Sequence, residues 1–239
     1  MAGAVPLSEL ASALELGPHE LVATVGGGGK TTTLFALGRQ LGGRRVLTTT
    51  TKMGRDRTGG FPVLFGPSDT ALLDAVGAGD AVLVWKADGG HKAIGLDPDA
   101  CDRWFDLVDH VLVEADGAAG RPFKAPRPLE PVVPSHATLV VACIGASALG
   151  RVIADQCHRP MRVAALAGCT PYERLTPERA ARVLLHDRGS RKGCPAGARF
   201  AVVVHRVDDA GEAMAAEVEA VIADEAPVVL VAERRGPVR

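Results

Sequence analysis

Residues 24–33 read TVGGGGKTTT. Glycines followed by lysine and threonine are the ingredients of a phosphate cradle. The glycines let backbone N–H groups converge, the lysine reaches the β and γ oxygens, and the hydroxyl holds Mg²⁺. The common pattern G-x-x-x-x-G-K-[ST] is broken, because its first glycine falls on Thr24. A shorter form, G-G-x-G-K-T, is met by Gly26, Gly27, Gly28, Gly29, Lys30 and Thr31, with Thr32 directly after. A helix beginning near Lys30 would add the positive end of its dipole. The expected ligands are therefore a nucleoside triphosphate and Mg²⁺.

Such a site needs an acid at the end of a neighbouring buried strand. The run VLVEADG supplies Glu114 and Asp116, which strand alternation puts on one face. Either carboxylate can hold Mg²⁺ with Thr31 while the other orients water or substrate. Lys30, Glu114 and Asp116 are thus the expected catalytic groups. TTTT at 48–51 offers further hydroxyls, although threonines also favour strands for packing reasons alone. Beyond it, Lys52 can meet a substrate's negative charge, and so can Arg121, Lys124 and Arg127 unless they form only a solvated basic face. Near the C-terminal side, VVVHRVDD stands where guanine-binding proteins carry N-K-x-D: Asp208 keeps the acid, while His205 and Arg206 replace amide and lysine. The base stays open, with ATP slightly ahead of GTP. Cys157 and His158 are adjacent and lack a second pair at ligand spacing, which favours a structural or substrate-facing role over a metal site.

The elements that would position these groups alternate along the chain. LVATV (21–25) precedes the glycines, and TTTLFALGRQLG continues them with Leu34, Leu37 and Leu41 at helical spacing. Strand runs follow at 45–50, 62–65, 81–87, 110–117, 137–145, 199–208 and 226–233, with helical stretches opening at Ser68, near Asp97, at Thr176, and between the last two strands. HVLVEADG and ATLVVACIG are continuous apolar runs, as strands buried on both faces require. The pattern predicts an α/β fold with a mostly parallel central sheet, a three-layer P-loop NTPase-like architecture in one domain over 1–239. A proline-rich, basic segment at 117–134 shows neither periodicity and is expected to be a long loop beside the nucleotide site.

Composition narrows the partners. With 47% hydrophobic and 23% charged residues the chain reads as an ordinary soluble protein, and a formal charge of −1 gives no bulk attraction to nucleic acid or anionic membrane. The apolar run at 137–150 is too short to span a bilayer, and MAGAVPLSELASALELG does not read as a signal peptide. A cytoplasmic location is expected.

Taken in order, VGGGGKTTT, TTTTKM, VEADGAAGRPFKAP, LEPVVP, IGASALG, HRP and LTPERAA resemble one family over roughly residues 7–209, the YqeC-like selenium-dependent hydroxylase accessory proteins. The family tends to carry N-K-x-D where this chain has His205, Arg206, Val207 and Asp208. The resemblance implies a nucleotide-dependent role in maturing molybdenum hydroxylases, with a hydroxylase or the proteins that mature its cofactor as partner, and with a protein partner or a molybdopterin-type ligand meeting 117–134. Three activities remain open at this stage: NTP hydrolysis, transfer of a phosphoryl or nucleotidyl group to a small anionic acceptor, and a non-catalytic nucleotide-controlled switch.

Overall fold

The computed structural model describes residues 3–232. A 3-10 turn (Leu7–Glu9) and helix α1 (Leu10–Ala13) precede strand β1 (Glu20–Gly26) and helix α2 (Lys30–Gln40). Next come β2 (Arg45–Thr49), β3 (Lys52–Gly54), β4 (Val63–Phe65), α3 (Asp69–Val76), β5 (Ala81–Trp85), β6 (Ala87–Gly89), β7 (Lys92–Ile94), α4 (Pro98–Phe105) and β8 (His110–Glu114). The second half holds β9 (Phe123–Lys124), β10 (Leu139–Gly145), α5 (Ile153–Gln156), β11 (Cys157–His158), α6 (Pro160–Ala167) and α7 (Pro177–Leu185). It ends with β12 (Arg199–Val207), α8 (Glu212–Ile222) and β13 (Val228–Ala232). Glu233, the last residue of the strand expected at 226–233, lies outside the described residues.

Among the described residues eight strands form one sheet in the order β13-β12-β10-β1-β8-β2-β5-β4. Every neighbouring pair is parallel. Parallel strands need crossover connections, and helices in those crossovers cover both faces of the sheet. On β1, Leu21, Ala23 and Val25 face the larger core, which also takes up Trp104 of α4, Val183 of α7 and Val218 of α8. Val22 faces the opposite core with Leu10 of α1 and Leu34 and Leu37 of α2. Leu34 and Leu37 are fully buried and three positions apart, so one stripe of α2 seats it on the sheet. Each contributes roughly 1.5–3 kcal/mol by leaving water.

Two helix starts follow the expected chemistry. Ser68 Oγ accepts the Ala71 N–H, and Thr176 accepts the Arg179 N–H with Pro177 in the first helical position. Two features depart from the sequence reading. A small antiparallel sheet, in the order β3-β7-β6, stands beside the ends of β2 and β5. Its three-residue strands KMG, ADG and KAI are too short and too polar to register as strands. The segment 117–134, expected as structureless, contains β9, which pairs with β11 and is buried. No helix among the described residues is long and apolar enough to cross a membrane.

Candidate functional site

In an open parallel sheet, ligands bind outside the carboxyl ends of the strands. Register brings the expected residues to that edge. Thr24 pairs with Glu114, Thr49 with Glu114, Gly26 with Cys143, and Gly145 with His205. The ends of β1, β2, β8, β10 and β12 therefore share one rim.

The glycine turn between β1 and α2 is packed from outside. A Cβ on Gly27 would lie 2.8 Å from Arg121 O and from Phe123 N, so close backbone approach excludes a side chain there. Gly29 has φ +100°, and a Cβ would lie 2.1 Å from His205 Cδ2. Both its conformation and its neighbour call for glycine. Two of the four amides are already used: Gly26 N–H donates to Asp116 Oδ2 at 3.0 Å and Gly27 N–H to Cys143 O at 3.0 Å. Among the described residues the N–H groups of Gly28 and Gly29 meet no protein acceptor. The first-turn amides of α2 have no intrahelical partner either. The donors free for an anion thus run from Gly28 into the helix start.

Lys30 is buried; its Nζ donates to Gly26 O at 2.6 Å and lies 3.2 Å from Asp116 Oδ1. Burial works against its charge, but Asp116 and Glu114 outweigh it and hold its pKa above the ordinary lysine value. Asp116 is shared: its Oδ2 is 2.9 Å from Lys124 Nζ. Lys124 is fully buried and also donates to Gly117 O at 2.7 Å and Glu130 Oε2 at 3.0 Å. Glu130 accepts in turn from Arg159 at 2.7 Å and Arg127 at 2.9 Å. Burial would raise the Glu130 pKa, but the hydrogen bond from Arg159 and the charge of Lys124 bring it down to about 2. A ladder of alternating charge therefore runs Lys30, Asp116, Lys124, Glu130, Arg159. The sequence reading grouped Lys124 with Arg121 and Lys52 as cations for a substrate. The structure separates them, since Lys124 turns inward while Arg121 and Lys52 line the cleft.

Glu114 takes a different position from Asp116. It is reached by Thr31, whose hydroxyl donates to Glu114 Oε2 at 2.7 Å. Burial raises its pKa, and Lys30 and Thr31 offset this only in part. The threonines at the end of β2 mostly tie the rim together. Thr48 donates to Val84 O, Thr49 to Glu114 O and Thr50 to Val132 O, each at 2.7 Å.

On the other side, His205 Nε2 lies 2.7 Å from Thr33 Oγ1, and burial pushes its pKa down to about 4. It is a neutral ring packed on the glycine turn. Arg206 follows with φ +58°, where the pairing of β12 with β13 slips. Asp208 is exposed, and its carboxylate accepts the Gly211 N–H at 2.7 Å just before α8. It does not line the cleft.

These groups surround a cleft of about 730 Å³, within the range of small-molecule sites. Gly28, Gly29, Lys30, Thr31, Thr32 and Glu114 line it. Arg57 and Lys92, which sequence reasoning did not single out, line it from the small sheet, on strands and turns too short to carry a signal. Glu130 was also missed; its one signal was being the single acid among Arg121, Lys124 and Arg127.

Comparison with known proteins adds a relationship. A family model described as YqeC protein matches residues 22–161, a range holding the glycine turn, Glu114, Asp116, Lys124 and Glu130 but not His205 or Asp208. A protein of Escherichia coli (strain K12), described as "Uncharacterized protein YqeC", is 34% identical over 204 residues, which cover 82% of this chain and 79% of that protein. No solved structure matches.

Proposed function

The chain belongs to the YqeC family, and from the site it carries we propose that it is a P-loop NTPase-like protein that binds a nucleoside triphosphate with Mg²⁺ and hydrolyses it. The observation that carries this reading is the placement of Lys30. It opens α2 directly after a glycine turn with unpartnered amides, buried beside the Thr31–Glu114 pair. A triphosphate laid on Gly28, Gly29 and the helix start would meet those donors, the helix dipole and the Lys30 ammonium together.

The residues present fit Mg²⁺. A hydroxyl and a carboxylate 2.7 Å apart are hard oxygen donors of the kind this ion prefers. No group of three or more His, Cys, Asp or Glu among the described residues could hold a metal. Two protein donors leave the remaining positions to phosphate oxygens and water, so in this reading the metal arrives with the nucleotide. Glu114 is the better ligand of the two acids, because Asp116 Oδ2 is taken by Lys124 and the Gly26 N–H and its Oδ1 faces the Lys30 ammonium at 3.2 Å. Bound Mg²⁺ would neutralise phosphate charge. Lys30 holds the β and γ oxygens, and Asp116 keeps the glycine turn and Lys30 in register. Such sites work by positioning and charge stabilisation.

ATP remains slightly ahead of GTP as the nucleotide, since Asp208 stands outside the cleft. The resemblance to selenium-dependent hydroxylase accessory proteins extends the proposal to a cytoplasmic maturation step for a molybdenum hydroxylase, with the partner meeting the 117–134 segment. Calorimetric titration of ATP, GTP and CTP, with and without Mg²⁺, into the full chain and into Lys30→Ala tests the core of it. One nucleotide should bind much more tightly with Mg²⁺ than without it, and Lys30→Ala should lose that binding. Turnover should fall on the order of 10²-fold or more. A Lys30→Ala protein with full turnover would sink the assignment.

A further inference from the structure

The cleft holds more positive charge than a triphosphate meets on its own loop. The whole chain has a formal charge of −1. Yet Lys30, Lys52, Arg57, Lys92, Arg121 and Arg206 all line this one concavity, against Asp56 and Glu114. Three of the cations, Lys52, Arg57 and Lys92, stand on the small antiparallel sheet or its first turn, across from the glycine loop.

That sheet is a fixed wall. Gly95 N–H donates to Thr51 O at 2.6 Å, Leu96 N–H to Thr49 O at 2.8 Å and Lys86 N–H to Ile94 O at 2.9 Å, so it grows directly from the ends of β2 and β5. A Cβ on Gly95 would lie 2.3 Å from Thr49 O, which shows how tightly the base is sewn. Met53 and Ala93 root it in the core. Neighbouring charges on the wall are matched, Arg55 with Asp88 at 2.7 Å and Lys86 with Asp97 at 2.9 Å. Lys52, Arg57 and Lys92 form no ion pair among the described residues. Like charges held around one concavity repel each other, and a bound anion relieves that repulsion.

We propose that this wall is a second ligand site, which takes a small molecule carrying a carboxylate or phosphate group and holds it beside the bound nucleotide. The inference rests on the nucleotide reading above. Its chemistry suits the groups present. A carboxylate or phosphate oxygen is already deprotonated, so its attack on the γ-phosphorus needs no general base. Neither acid is needed as one: Asp116 pairs with Lys30 and Lys124, and Glu114 with Thr31 is given to the metal. In the transfer, the acceptor oxygen forms a bond to the γ-phosphorus. The bond from that phosphorus to the β–γ bridging oxygen breaks, and the nucleoside diphosphate leaves with the electron pair. The products are the phosphorylated acceptor and the diphosphate.

The test uses the full chain, the Lys52→Ser/Arg57→Ser/Lys92→Ser variant and Lys30→Ala. Nucleotide affinity is measured first. Inorganic phosphate and succinate are then titrated separately into protein saturated with Mg²⁺ and a non-hydrolysable analogue of the nucleotide that binds. We expect one anion to bind the saturated unaltered protein and to lose about 10-fold or more in affinity in the triple variant, against less than about 3-fold for the nucleotide. The anion that binds tells a phosphoryl from a carboxylate acceptor. Parallel loss of nucleotide affinity in the triple variant would assign the wall to the nucleotide itself and overturn the second site. Failure of both anions to bind the saturated protein would overturn it too. Absence of nucleotide binding in the unaltered protein shows up before any anion is added, and removes the nucleotide reading and this inference together. If the triple variant lacks a cooperative melt, Lys92→Glu at its exposed position carries the same comparison.

Discussion

Lys30 Nζ lies 3.2 Å from Asp116 Oδ1 with both side chains buried, and the same carboxylate is 2.9 Å from Lys124. One acid thus serves two ammonium groups. When Lys30 turns to a phosphate, Asp116 keeps a partner, so the move does not strand a buried charge. Removing the acid takes the ion pair from buried Lys30 and leaves Lys124 with Glu130 alone. Asp116→Asn should therefore cost about 3–5 kcal/mol, the usual penalty for breaking a buried pair from one side. Lys30→Met should cost less, because it removes one of two competing cations and leaves Asp116 with Lys124. Urea unfolding of the three proteins measures both values, and an Asp116→Asn protein as stable as the parent would refute the shared-carboxylate account.

The other end of the ladder sets a pH dependence. The folded-state pKa of Glu130 is about 2, below the ordinary glutamate value near 4.5. A depressed acid pKa contributes stability that is fully present above the unfolded value and disappears as pH falls through the folded one. Its contribution should therefore fade between about pH 4.5 and pH 2. Glu130→Gln should be less stable than the parent at neutral pH, and the gap should close across that window. A gap that stays constant down to pH 2 would mean that packing, not charge, makes the difference.

Glu114 responds in the opposite sense. Burial raises its pKa, so protons compete for it at higher pH than for an ordinary carboxylate. Metal binding needs the deprotonated form. Mg²⁺-dependent nucleotide affinity should weaken on acidification before ordinary carboxylates titrate, and Glu114→Gln should lose the Mg²⁺ dependence while keeping a residual metal-free affinity through Lys30. Calorimetry across pH in the presence and absence of Mg²⁺ separates these outcomes. Unchanged Mg²⁺ dependence in Glu114→Gln would move the metal away from Thr31 and Glu114.

What was legible in the sequence was contiguous. The glycine turn, Lys30 and the strands of 110–114 and 139–145 each lie in one uninterrupted signal, and the parallel sheet follows from their alternation with helices. Groups assembled from several segments were not legible. Lys124 reads as a loop cation among prolines, because the acids that bury it come from eight residues before and six residues after, with no period to announce them. The wall bearing Lys52, Arg57 and Lys92 depends on three-residue strands that become strands only when 52–54 and 92–94 meet. His205 looked like a substitute for a base-reading amide. Its ring instead packs on the turn that would hold the phosphates, a contact set by the register of Gly145 with His205.

That contact gives a test of the turn itself. Gly29 has φ +100°, and a methyl there would come within 2.1 Å of His205 Cδ2. Gly29→Ala therefore meets two separate penalties, roughly 1–2 kcal/mol for the left-handed backbone and a further amount for the clash. Only the clash involves His205. His205→Ser should relieve it while leaving the backbone cost, so the double variant should be more stable than the sum of the single effects by about 1 kcal/mol or more. Unfolding free energies of the parent, the two single variants and the double variant close this cycle. Strict additivity would separate the ring from the turn. Coupling would show that the His205 ring bears on the phosphate-facing backbone at Gly29.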